Sequence, residues 1–282
     1  GDSDFLAAVG KDVVAGLPGS MSSQERAKAL ADFAASGSYN VRMAAPMRNT
    51  RMIVLDDLFM LTQYATCGGQ PDRSAAVAQI RWLRAQLDQA RRHKQRVWVM
   101  AHIPPGVDLY STFAKMRNVC GGDAPAMSLS SDALADTLSE YADVVRLAIF
   151  AHTHMDELRL LGPGRGVKGA KGGAVAVKMV ASVSPVNGND PSFTVARIDT
   201  ASATLADYAV FAASNRTGVD TVWSKEYSYA ETYHAAAVSP VALKKLIGDF
   251  RNDPDAKTEL SQAYIKNFFV GDSSSLIKPL WP

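Results

Sequence analysis

The chain has 282 residues, 47% of them hydrophobic and 21% charged. These proportions match an ordinary globular protein and exclude a disordered chain, a collagen and a coiled coil. Thirty Lys and Arg against 28 Asp and Glu leave a net charge of +2, too even a balance for a surface built to hold a nucleic-acid polymer or an anionic membrane. No run of about 18 apolar residues occurs, so no transmembrane segment is expected. The length is enough to bury a core without disulfides. Cys67 and Cys120 can form one bridge or remain two buried thiols, and composition favours the thiols. Neither belongs to a CxxC pair, which argues against a thiolate zinc site.

The chain opens Gly1-Asp2-Ser3-Asp4-Phe5, without an initiator Met, a basic n-region or an apolar h-region. A processed, trimmed or partial product is expected. Gln24 to Ala35 is Ala-rich and reads as a helix. Met52-Ile53-Val54-Leu55, bounded by Asp56-Asp57, reads as a strand. Pro71-Asp72 opens a helix in which Ile80, Leu83, Leu87 and Ala90 recur at three and four residues. Arg96 to Ala101 is short, apolar and nearly continuous, as in a strand covered on both faces. Ser130 or Ser131 is a candidate cap for a helix through Leu134, Leu138 and Tyr141, and Val144 to Phe150 is a second buried strand. Two such alternations predict βαβ units and an α/β fold.

Beyond residue 154 the pattern changes. Leu158 to Leu161 is a short strand, and Gly162 to Gly173 is a glycine-rich loop. Ala174–Ala181, Phe193–Ile198 and Leu205–Phe211 read as strands whose closeness suggests antiparallel pairing. From Ser239-Pro240 the chain is helical, with Leu243, Leu246, Ile247 and Phe250 on the apolar face. Asn252-Asp253-Pro254 breaks that helix before a last one containing Tyr264 and Phe268.

Three of the five histidines follow predicted buried strands: His102 after Val97–Ala101, and His152 and His154 after Leu147–Ala151. Ligand sites in open α/β sheets collect at the carboxyl ends of strands. Within a continuing strand, residues at i and i+2 would lie on one face; a turn at the strand end sets the two rings anew. Neutral imidazole suits Zn, Mn, Fe and Ni, so these residues point to a transition metal. Pro104-Pro105 stiffens the loop behind His102. His93, at the basic end of a helix, and His234, after Tyr227, Tyr229 and Tyr233, read as solvated or packed residues.

His102-Ile-Pro-Pro-Gly106, followed by Ala151-His-Thr-His-Met-Asp-Glu157, resembles the C-terminal half of a calcineurin-like metallophosphoesterase, and within it the acid sphingomyelinase-like phosphodiesterases. Tyr64–Gly68, the Trp82-Leu83 helix, Ser182-Val-Ser-Pro-Val-Asn-Gly-Asn-Asp-Pro191, Tyr229–Tyr233 and Trp281 extend the likeness. The resemblance implies a β-sandwich flanked by helices: a catalytic domain over residues 1–214, partial at its N-terminus, and a helical C-terminal region over 215–282. It implies two divalent ions, zinc first, with manganese or iron as alternatives. His102, His152 and His154 would be ligands, Asp156 would orient a ligand imidazole, and Tyr110 and Asn187 would face substrate.

The family's Asp-x-His and Gly-Asn motifs are not found, and Ser3–Leu6 matches a segment beyond the Gly-Asn motif. At most one ion is therefore expected from the ligands present, unless Asp56, Asp57, Asp108 or Asp156 substitutes. Ala151 stands where the family has glycine. Two classes of function follow: a phosphoester hydrolase acting on a small soluble phosphoester, and a non-catalytic protein of the same fold. A mononuclear zinc hydrolase is a third. The resemblance also implies a secreted or periplasmic setting.

Overall fold

A computed structural model describes residues 3–17, 21–162 and 172–271. Most of the glycine-rich loop, and Trp281, lie outside the described residues. In chain order the elements are α1 (Ser3–Ala15), α2 (Ser23–Ser36), β1 (Tyr39–Arg42), β2 (Thr50–Val54), α3 (Ser74–Arg92), β3 (Arg96–Met100), α4 (Leu109–Ala114), α5 (Ala133–Glu140) and β4 (Val145–Phe150). Then come β5 (Leu158–Leu161), β6 (Val175–Met179), β7 (Ser192–Asp199), β8 (Thr204–Ala213), β9 (Trp223–Ser228), α6 (Tyr229–Tyr233), α7 (Pro240–Arg251) and α8 (Glu259–Phe268). The fold is α/β, with a mixed sheet, an antiparallel sheet and helices. Two compact units divide it. One is Gly1–Pro105, Leu129–Ile149 and Gly162–Val175; the other is Gly106–Ser128, Phe150–Leu161 and Ala176–Pro282.

In the first unit the strand order is β1-β2-β3-β4. β2, β3 and β4 run parallel and β1 is antiparallel to β2. Val97, Trp98 and Val99 are all buried, as a strand covered on both faces requires. Leu83, Leu87 and Ala90 of α3 and Leu134 and Leu138 of α5 bury the predicted helical stripes. α3 begins at Ser74, where Asp72 takes both the backbone N–H and the hydroxyl of that serine. α5 begins one residue beyond the expected serines, after Asp132, which makes no side-chain cap bond. α2 starts on a capping box in which Ser22 and Glu25 exchange bonds.

The second unit holds the antiparallel meander β7-β8-β9. β6 is not part of it, which corrects the expectation of three successive antiparallel strands. β9 pairs with β8, so the segment after residue 214 is not wholly helical. Ser239 caps α7 by accepting the Ala242 N–H at 3.2 Å, with Pro240 in the first turn. Leu243, Leu246 and Phe250 are its buried face. Met155, Ala256, Ile265, Phe268 and Phe269 form a core cluster. Tyr208, Tyr227, Tyr229 and Tyr233 stack edge and face beside it, with ring centroids 5.3–6.2 Å apart. Among the described residues no helix is long and apolar enough to cross a membrane. Cys67 is an exposed free thiol rather than a buried one.

Gly37 ends α2 in the left-handed region at φ 72°, its N–H donating to the Phe33 carbonyl. A Cβ there would stand 2.6 Å from Asp56 Oδ2. Gly37→Ala is therefore expected to cost about 1–2 kcal/mol from backbone strain alone, with the collision adding to it. Urea denaturation midpoints measure the loss, and an unchanged midpoint would contradict this account of the turn.

Candidate active site

β3 ends at Met100, and His102 follows in the first unit as an exposed side chain. Asp57, only 2% exposed, accepts the Ile103 backbone N–H at 2.7 Å. Burial pushes the Asp57 carboxyl up to about 7, against the pull of backbone donors that include Ile103 and His102. Ile103, Pro104 and Pro105 are buried, so the loop is pinned by packing as well as by the carboxylate.

β4 delivers the second motif, which lies wholly in the second unit. His152 and His154 both have left-handed backbones, at φ 73° and 66°. The Thr153 N–H donates to the Ala151 carbonyl at 2.9 Å, closing a γ-turn around His152. Such turns are rare and strained for residues with a Cβ. Ala151 is not among the residues of positive φ, so the methyl that replaces the family's glycine adds no left-handed strain. The turn is held on several sides. Asn187 Nδ2 donates to the Thr153 carbonyl at 3.4 Å, and the Ser182 N–H to that of His154 at 3.3 Å. The Asp156 N–H donates to the Phe268 carbonyl at the end of α8, at 3.0 Å.

His154 Nδ1 is buried and has no hydrogen-bond partner. An orphaned, desolvated imidazole nitrogen suits a transition-metal donor. Among the described residues, no group of three or more His, Cys, Asp or Glu side chains is placed to hold a metal ion.

The carboxylates weighed as substitutes have local work instead. Asp56 accepts the Leu58 N–H, and Asp57 holds the His102 loop. Asp108 caps α4 through the N–H and hydroxyl of Ser111 at 2.8 and 2.6 Å. Asp156 Oδ1 is paired with the Lys178 ammonium, and its Oδ2 accepts the Tyr227 hydroxyl at 2.8 Å. Of the expected substrate contacts, Asn187 touches the histidine turn through Thr153. Tyr110 lies on α4 and is 63% exposed. His93 ends α3, where its N–H bonds the Gln89 carbonyl. His234 ends α6. Sequence reasoning missed Lys178 and Tyr227. A lysine in the middle of an otherwise apolar strand, β6, is the signal that marks the first.

Two expected outcomes follow. The Asp57 carboxyl has its ordinary value of 3.8 in the unfolded chain and is raised in the fold. Its contribution to stability is full below that value and is lost as pH rises through about 7. Each tenfold difference in proton affinity between the unfolded and folded chain is worth about 1.4 kcal/mol, so stability should fall by a few kcal/mol across this window. Asp57→Asn should flatten the profile, read as urea midpoint against pH; an equally steep profile in the variant would assign the effect elsewhere. At the second motif, the φ of 73° at His152 penalises any residue with a Cβ. His152→Gly should exceed His152→Ala in stability by about 1 kcal/mol by calorimetry, and equal stabilities would remove strain from the account.

No family model matches the chain. It is 28% identical over 206 residues to the cyclic GMP-AMP phosphodiesterase SMPDL3A of Bos taurus, covering 71% of this chain and 42% of that protein. The Homo sapiens protein of the same name is 26% identical over 203 residues, covering 70% and 42%. Sphingomyelinase phosphodiesterase C of Dictyostelium discoideum is 23% identical over 205 residues, covering 68% and 43%. The chain thus spans less than half the length of these curated relatives. Together with the two histidine motifs, these likenesses make the chain similar to the acid sphingomyelinase-like phosphodiesterases, at 22–28% identity over about 70% of its length or more.

Proposed function

We propose that this chain carries part of the active site of a phosphodiester hydrolase with the calcineurin-like metallophosphoesterase fold. The observation that carries the reading is the strained turn at His152 and His154 with a buried, unpartnered Nδ1 on His154. Strain of this kind costs about 1–3 kcal/mol per residue and persists where the surroundings over-determine it, commonly at functional sites. The curated relatives named as phosphodiesterases support the reaction class.

Hydrolysis forms a bond from water oxygen to phosphorus and breaks one ester P–O bond. The proton of the attacking water ends on the departing alkoxide. A bound divalent ion, zinc first among candidates, would supply charge neutralisation at the phosphoryl oxygens and a more acidic water. His152 and His154 are the imidazole donors best supported for it, and His102 joins them by resemblance. This chain's own part is orientation. The γ-turn fixes the His152 backbone, and Asn187 and Ser182 fasten the carbonyls of Thr153 and His154. Further ligands are required to close the set. We place the reaction on a small phosphoester in a secreted or periplasmic setting, as the family resemblance suggests.

The alternative is a binding protein of the same fold without hydrolytic activity. Steady-state hydrolysis of bis-p-nitrophenyl phosphate by this chain with added Zn²⁺ separates the two. His152→Ala and His154→Ala should each lower kcat/KM by on the order of 100-fold, as loss of a group acting in the transition state does. Equal rates in wild type and both variants would reject the hydrolase and leave the binding protein.

A further inference from the structure

β6 is buried at all five positions, and one of them is Lys178. Its side chain is 3% exposed, and that of Asp156 is 1% exposed. A lone ammonium at such a position would be prohibitively desolvated. Burial pulls the pKa of Lys178 down, while Asp156 pulls it back up. The ammonium also donates to the Met179 carbonyl at 2.7 Å and lies 4.4 Å from the centroid of the Tyr208 ring. The other Asp156 oxygen takes the Tyr227 hydroxyl, which sits 3.2 Å from that of Tyr208. Both carboxylate oxygens are thus satisfied by groups fixed in strands β6 and β9.

Asp156 stands two residues after His154, across Met155, which is packed against Ile265 and Phe268. Its N–H is bound to the end of α8, and the next carbonyl, that of Glu157, accepts the Met179 N–H at 2.9 Å. The chain leaving the left-handed turn is therefore tied to β6 by backbone and side chain at adjacent residues. A left-handed residue with a Cβ relaxes toward ordinary φ unless both flanks are held. On the far flank the hold is the γ-turn and the Val180 N–H bonded to the Phe150 carbonyl.

We infer that Lys178 is a positioning residue: its buried ammonium fixes Asp156 and, with Tyr227, holds the backbone turn that presents His152 and His154. The catalytic consequence rests on the hydrolase reading above, whereas the positional claim stands on the geometry alone.

The test uses the full chain and three variants. Lys178→Met/Asp156→Asn removes both charges together, so no unpaired charge is left buried. Tyr227→Phe deletes one donor and serves where the double variant does not fold. Leu243→Ala, in the buried face of α7, is a control for general loss of stability. The primary readout is the pair of imidazole Cε1–H resonances of His152 and His154 at one fixed pH. Both should move in the double variant, and by less in Tyr227→Phe, while Leu243→Ala leaves them in place. The second readout is hydrolysis of bis-p-nitrophenyl phosphate, where kcat should fall by roughly 10–100-fold with KM nearly unchanged. Imidazole resonances identical to wild type in both network variants would overturn the inference. Resonances that move in a protein whose hydrolysis is insensitive to His152→Ala and His154→Ala would keep it and sink the hydrolase reading instead.

Discussion

A charge inside a strand buried along its whole length constrains everything packed against it. Lys178 can occupy β6 only if a counter-charge and acceptors are delivered to the same place, because isolated charges are not tolerated in an apolar interior. Asp156, the Met179 carbonyl and the face of Tyr208 meet that demand. The tyrosines that complete the surroundings feel the same environment. Burial raises the phenol pKa values of Tyr208 and Tyr227, and the charge of Asp156 raises them further. These hydroxyls stay protonated and so remain hydrogen-bond donors. Replacing the pair with apolar residues of equal volume would be neutral or favourable for stability in many proteins. Keeping it makes sense where a unique geometry is needed, and the geometry it touches is that of the histidine turn.

The turn itself shows why such a hold is required. His152 and His154 spend backbone energy, whereas glycine would adopt the same φ values freely. Imidazoles at these positions fit a role that glycine could not fill. The buried Nδ1 of His154, without a partner, is consistent with that inference. Asn187, whose amide reaches the Thr153 carbonyl, links the turn to the loop after β6. That loop is organised from within by Asn189, which is fully buried and donates to the carbonyls of Ser182, Ser184 and Asp190. An internally bonded loop keeps its shape, so the bond from Asn187 arrives from a fixed direction.

Periodicity made the larger elements legible. α3, β3, β4, α7 and α8 bury most of the residues their patterns single out, with Ile80, Ile247 and Tyr264 half-buried and Met100 exposed, since an amphipathic stripe or a continuous apolar run leaves few alternatives. α1, β1, α4 and β9 were not foreseen, and Tyr110, read as part of a loop, lies on α4. β1 is four residues long, and β9 reads Trp-Ser-Lys-Glu-Tyr-Ser, half exposed and largely polar, so its identity comes from pairing with β8. The strands at 174–181, 193–198 and 205–211 were expected to pair in succession; the last two do so as β7 and β8, whereas β6 belongs to the other sheet. Sequence nearness is a weak guide to partners when the chain moves between compact units, as it does near residues 162 and 175. For the site, the histidine motifs and their place at strand ends were readable. The partners that hold them were not, because they lie far away in sequence: 22 residues separate Asp156 from Lys178, and 71 separate it from Tyr227.

Asp57 and Asp156 invite comparison, since each unit anchors its histidine segment on one buried carboxylate. Asp57 takes backbone N–H groups of the loop that carries His102, and desolvation favours its neutral form. Asp156 instead meets a lysine, and the ion pair offsets the cost of burial. Both acids act on backbone or on cations rather than joining the imidazoles as ligands. The two acids then have a different importance from that of ligands: they decide where the imidazoles are, and a substitution at either should act on geometry before it acts on chemistry.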